Sequence, residues 1–412
     1  MARPRRRALP VTSATGAIEL FAVRETEVKG RSYNVGVAET TSQDQHSSLS
    51  TLIHSRIEEA GGWLAFDAFM ALALYAPGRG YYAKGGQQFG HLPGPKGGKP
   101  GSDFVTAPEL SPLFGAALAR QVGQALVAAK ADTIWEFGAG SGALAEQLLD
   151  ALGDKVRRYA IVDVSGALRA QQAQRLARFG ARVQWLDQWP LHMHGVVVGN
   201  EVLDAMPVQL LHFDGTDWHE RGVIAVGVGG SQGFVWQDRP TALRPPVPDD
   251  NFVPGTTIEI HLQAQAFVRT LASRLDCGMA LLIDYGFPEA EYYHPQRSDG
   301  TLMCHRAHRA DSNPLADVGD KDITSHIDFT AIALVAQDAG LTVAGYTTQA
   351  HFLMNCGLLD LLLTADLKQR ANAQKLLTEH EMGELFKVIA LTRGMPGFVP
   401  LGFSSGDRSH TL

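Results

Sequence analysis

"IWEFGAGSGALAEQLL" spans Ile134 to Leu149, and its reading decides the fold. A short apolar run ends in Glu136, and Gly138, Gly140 and Gly142 follow at alternate positions. Leu144, Leu148 and Leu149 then recur at helical spacing. The expected order is a strand, a tight turn and a helix start, with the backbone brought close to a ligand at the turn.

Outward from the turn, strands and helices alternate. "YAIVDVS", "RVQWLD", "GVVVGNE" and "MALLIDYG" read as four further strands, with the helix "GALRAQQAQRLARF" after the first of them. A helix from about Ile260 to Leu275 precedes the last. Near the end, "LTVAGYTTQ" and "LFKVIALT" supply two more strands. Such alternation predicts an α/β fold with a doubly wound, Rossmann-like, mostly parallel sheet. Seven strands with a late pair is the layout of class I methyltransferases. Two stretches interrupt it: 210–257 alternates like a small β-meander, and 288–328 is polar and rich in His, Arg and Asp.

The domain organisation follows. Residues 1–48 are polar and weakly periodic, and read as a disordered extension. Residues 49–110 hold two short helices and a Gly/Pro/Lys loop, "KGGQQFGHLPGPKGGKPGSDF". The core runs over 111–395, starting with Ser111 as N-cap and Pro112 at the first helical position. Residues 396–412 form a tail.

Bulk properties exclude several classes. A 45% hydrophobic content suffices for a large core. A net charge of −7 lacks the basic footprint of a nucleic-acid binder. Cys277, Cys304 and Cys356 form no CxxC pair, which indicates neither a disulfide framework nor a zinc site. "WLAFDAFMALALYA" is the longest apolar stretch and is too short to span a membrane. The start, "MARPRRRALP", is basic, but Glu19, Glu25 and Glu27 follow, whereas transit peptides avoid acids.

In an open α/β sheet the ligand sits beyond the carboxyl ends of the strands. The turn fits GxGxx(G/A), with Ala143 last, which suits a dinucleotide. It also fits ExGxGxG, the loop that takes the methyl donor S-adenosylmethionine (SAM). Asp163 ends the second strand, where an acid accepts both ribose hydroxyls of a nucleoside; NAD and SAM share that ribose. Asp187 ends the third strand and could meet an adenine amine. The fourth strand ends in "VVVGNEVLDAMP", with Asn200 and Glu201 at its tip and Asp204 just beyond. Methyl transfer needs polar groups at this strand end; a dehydrogenase does not need the Asn–Glu pair.

On these residues the chain resembles the MidA-like family of class I SAM-dependent methyltransferases. The resemblance covers roughly residues 50–395. It rests on the order of "YYAKG", "DFVTAPELSPLFG", "WEFGAGSGALA", "LRAQQ", "GNEVLDAMPV", "IDYG", "GTLMCHRAHRAD", "DITSHIDF", "QAHFLMNCG" and "GELFKVIAL". It implies SAM as cofactor, held by Glu136, Gly138, Ala139, Gly140 and Asp163, with Asp187 and Asn200 as further candidates. One departure is Asp163, where Glu is expected; the shorter acid would grip a ribose more loosely. Mitochondrial members assist assembly of respiratory complex I and methylate arginine in one of its subunits, so the resemblance implies a protein arginine acceptor.

A guanidinium calls for carboxylates that grip it in bidentate fashion and take the released proton. Glu201, Asp204 and Glu109 are the candidates. His305 and His308 in "CHRAHRAD" lack a further ligand at fixed spacing, so no metal is expected. A small-molecule methyltransferase and a non-catalytic assembly chaperone that retains the fold are the competing readings. Bacterial cytoplasm is the expected compartment, with mitochondrial matrix as the alternative, and the oligomeric state is open.

Overall fold

The computed structural model describes residues 48–84, 106–163, 166–228, 231–306 and 309–412. The extension at 1–47, most of the Gly/Pro/Lys loop and His308 lie outside the described residues. The central sheet contains β1 (Thr133–Phe137), β2 (Arg158–Val162), β3 (Val183–Leu186), β4 (Met193–Asn200), β5 (Leu275–Phe287), β6 (Thr342–Thr348) and β7 (Phe386–Arg393). Their spatial order is β3-β2-β1-β4-β5-β7-β6. The first five strands pair in parallel, and β7 enters antiparallel between β5 and β6. A two-residue strand, Ile327–Asp328, extends the end of β5.

The strands read as continuous apolar runs because helices cover both faces. Val196 and Val198 point into one apolar cluster, with the helices Pro112–Ala129 and Ala143–Leu152. Val197, between them, points into the other, with Leu262–Arg274 and Phe329–Asp338. The first of these helices is capped as expected: the Ser111 hydroxyl accepts from the Leu113 amide, behind Pro112.

The interruption at 210–257 is an antiparallel sheet of Gln209–Phe213, Trp218–Val228, Ser231–Pro240 and Thr257–Ile260. It is not a simple meander. The last strand returns beside the first, and Leu64–Ala65 joins the edge of Trp218–Val228. The amino-terminal helices Leu49–Glu59 and Phe66–Tyr75 bury Ile53, Ile57, Phe66 and Phe69 against Leu210 and Val223. The second interruption carries a three-stranded sheet of Met303–Arg306, Arg309–Asp311 and Asp322–Thr324. Its Cys304 and Ile323 share the same apolar cluster. The second unit lines the carboxyl-end cavity through Thr301, Leu302, Met303 and Asp322.

The segment 396–412 packs on the central sheet. The Arg408 amide donates to the Tyr346 carbonyl at 2.6 Å, and the Tyr346 amide donates to the Asp407 carboxylate at 3.0 Å. Phe403 is buried, its ring 5.4 Å from that of Phe352.

Candidate active site

The glycine turn leaves β1 and enters Ala143–Leu152 as expected. Gly138 and Gly140 have φ of 65° and 51°, a region that side chains disfavour. A Cβ on Gly138 would approach Val202 to 3.1 Å. The turn opens on a cavity of about 900 Å³ at the carboxyl ends of the strands. That is the upper part of the roughly 300–1,000 Å³ range of ligand sites. It lies where the strand order reverses, between β1 and β4.

Eight of the ten expected site residues line it: Glu136, Gly138, Ala139 and Gly140 from the turn, Asp163 from the end of β2, and Asn200, Glu201 and Asp204 from the end of β4. Two do not. Glu109 was expected as a catalytic carboxylate, but its side chain is only 5% exposed and is turned to Arg175 at 2.8 Å and to the Ser141 hydroxyl. It braces the glycine turn from outside the cavity. Asp187 was expected near the cofactor, but its side chain is 78% exposed and pairs with Arg169. It lies just beyond β3, the edge strand, where water solvates it.

Burial governs the electrostatics. The Glu136 carboxyl accepts from the Tyr159 hydroxyl at 2.8 Å, and desolvation pushes its pKa up to about 8. Glu201 is likewise pushed up to about 8, first by burial and then by the charge of Asp204. Asn200 donates to Glu201 Oε1 at 2.9 Å, and the Asn200 Oδ1 is buried with no partner among the described residues. Glu201 also has φ of 53°, and its backbone N–H donates to the Ile283 carbonyl at 2.8 Å. Asp204 accepts from the Tyr285 hydroxyl through one oxygen, its other oxygen has no partner among the described residues, and burial raises its pKa to about 6. Asp284 fixes this turn by accepting from the amides of Leu203 and Asp204 at 2.9 and 3.3 Å.

Several contributors were not foreseen. Asp322 lines the cavity from the second interruption and accepts from the Tyr82 hydroxyl at 2.9 Å. Tyr75 and Tyr82 stack with centroids 5.6 Å apart on the same wall. Gln172, from the helix Gly166–Leu176, donates to the Asp163 carboxylate at 2.9 Å. Tyr82, Tyr285 and Asp322 sit within "YYAKG", "IDYG" and "DITSHIDF", so the matching motifs held that signal. His305 lines the cavity, and among the described residues no group of three or more His, Cys, Asp or Glu is placed to hold a metal ion.

A family model described as "Putative S-adenosyl-L-methionine-dependent methyltransferase" matches residues 117–347, more than half of the chain. The chain belongs to this family. The MidA-like methyltransferase family thus accounts for the sheet order and for the position of the cavity. A crystal structure from Burkholderia thailandensis, bound to S-adenosyl-homocysteine, is 48% identical, with a TM-score of 0.82 over 88% of this chain and 96% of that one. Mitochondrial protein arginine methyltransferase NDUFAF7 of Xenopus tropicalis is 26% identical over 85% of this chain and 87% of its own. The Caenorhabditis elegans homolog of that enzyme is 26% identical over 89% and 93%. The chain is a SAM-dependent methyltransferase of class I fold. Among the described residues no helix is long and apolar enough to cross a membrane.

Proposed function

We propose that this methyltransferase modifies an arginine side chain of a protein. The observation that carries the reading is the convergence of three acids, half-buried Glu201 and buried Asp204 and Asp322, on one cavity beside stacked Tyr75 and Tyr82. Acids dominate the described lining over the permanent cations Arg297 and Lys375. That balance favours a cationic donor and a cationic acceptor together. The names of the relatives, protein arginine methyltransferases, support the same acceptor. On the family resemblance, a subunit of respiratory complex I is the proposed acceptor class, in a bacterial cytoplasm.

The residues present fit SAM. The Gly138–Gly140 backbone leaves room for its amino-acid end, the unpartnered Asn200 Oδ1 can accept from its ammonium, and Asp163 can accept from its ribose hydroxyls. When bound, SAM supplies an electrophilic methyl group whose leaving sulfur is neutral. The chain's own residues do the rest. The positive guanidinium favours the ionised forms of Glu201 and Asp204, which then orient it through paired charge-assisted hydrogen bonds. One of them takes the proton released as the new N–C bond forms. Glu109 and Asp187 have no part in this scheme.

Glu201→Gln tests it. Affinity for SAM should stay within a few fold, and methyl transfer to an arginine peptide should fall by roughly 10²–10⁴. A full single-turnover rate would remove Glu201 from the chemistry. No turnover by the wild type on any arginine-containing protein of its own cell would favour a small-molecule acceptor or a non-catalytic assembly role.

A further inference from the structure

We infer that Gln172 is a positioning residue of the donor site, locking Asp163 and the glycine turn into one unit. Its side chain is completely buried. Its Nε2 donates to Asp163 Oδ2 and to the Gly140 carbonyl, both at 2.9 Å. Its Oε1 accepts from Trp185 Nε1 at 2.9 Å. An indole nitrogen can only donate, so the carboxamide oxygen must face Trp185 and the nitrogen must face the two acceptors. Trp185 on β3 therefore sets the orientation of the amide, and the amide sets the carboxylate and the turn.

The chemistry of the position selects a carboxamide. Two acceptors meet here, a carboxylate and a backbone carbonyl, and they need two N–H donors. Lysine or arginine would supply donors, but would also place a positive charge beside the site of a cationic donor molecule. Glutamine supplies them without charge. The titratable and charged neighbours among the described residues include Glu136, whose proton affinity is raised further by Asp163, Tyr75, whose hydroxyl is likewise held protonated by burial and by that charge, and Arg169, whose guanidinium is 3.4 Å from the Asp163 carbonyl. Arg175, one turn further along the helix, is engaged with Glu109 and Ser141.

The test uses the full chain and calorimetric titration with S-adenosylhomocysteine at pH 8 and pH 5.5. In Gln172→Glu, two carboxylates face each other at pH 8. The Kd relative to wild type should rise by about tenfold or more. At pH 5.5 the pair can share one proton, and the ratio should shrink to about threefold or less. Taking the ratio cancels the titration of Glu136, which both proteins contain. Trp185→Phe removes the anchoring N–H together with part of the indole's bulk and should weaken binding by about threefold to tenfold while the protein stays folded. A Gln172→Glu ratio below twofold at pH 8, or one that is the same at both pH values, overturns the proposal. If Gln172→Glu does not fold, Trp185→Phe decides alone, and wild-type affinity in that variant overturns the proposal.

Discussion

Glu201 bears two costs at one position. A non-glycine residue at φ of 53° is strained by roughly 1–3 kcal/mol. Its desolvated carboxyl, pressed also by the charge of Asp204, favours the protonated form, with a pKa near 8 against the usual 4.5. Because the folded protein holds this proton more tightly than the unfolded chain, the associated stability is complete below about pH 4.5 and is lost as pH rises through 8. Glutamine does not titrate. Glu201→Gln, without ligand, should therefore gain Tm relative to wild type at pH 8.5, and the gain should disappear at pH 5. A Tm difference that is independent of pH would show that the carboxyl is not desolvated. Asp163 belongs to the same scale. With two charge-assisted bonds to ribose, each about 1.5–3 kcal/mol, Asp163→Ala should weaken SAM binding by about tenfold to a thousandfold. An affinity change below twofold would take Asp163 out of the donor site.

The helix Gly166–Leu176 sends two side chains to the glycine turn, Gln172 to the Gly140 carbonyl and Arg175 to the Ser141 hydroxyl. Glu109 completes the outer brace, so Glu109→Gln should weaken donor binding several-fold while kcat at saturating SAM stays within about twofold. A hundredfold loss of kcat would return Glu109 to the chemistry. This helix also shows where sequence reading stops. The β1 strand, the turn and the next helix are legible because each signal is local: an apolar run, three glycines, a 3.6-residue period. Gln172 sits in "LRAQQAQRL", which looks like a solvated polar face. Its burial depends on Trp185 and Gly140, which only the assembled sheet brings near. The orientation of Glu109 is hidden from the sequence for the same reason. Its partners are 32 and 66 residues away, and an acid in a first helical turn gives no sign of which way it faces.

At the scale of the whole molecule, the carboxyl-terminal segment is part of the fold. Phe403 packs on Phe352, and the segment closes the outer edge of β6. Phe403→Ala should cost about 3–5 kcal/mol, the usual loss for a buried aromatic, read as a lower midpoint in urea. A cost below about 1 kcal/mol would mark the segment as an appendage. The cavity itself is divided between builders. The proposed donor half comes from β1, β2, β4 and the helix carrying Gln172, whereas Tyr75, Tyr82 and Asp322 come from outside the central sheet. On the proposed function, the half that would grip the methyl source and the half that would meet the incoming side chain can therefore diverge independently. Exchanging residues 288–328 for those of a relative with another acceptor would be a transplant of preference, leaving the fuel supply of the recipient in place.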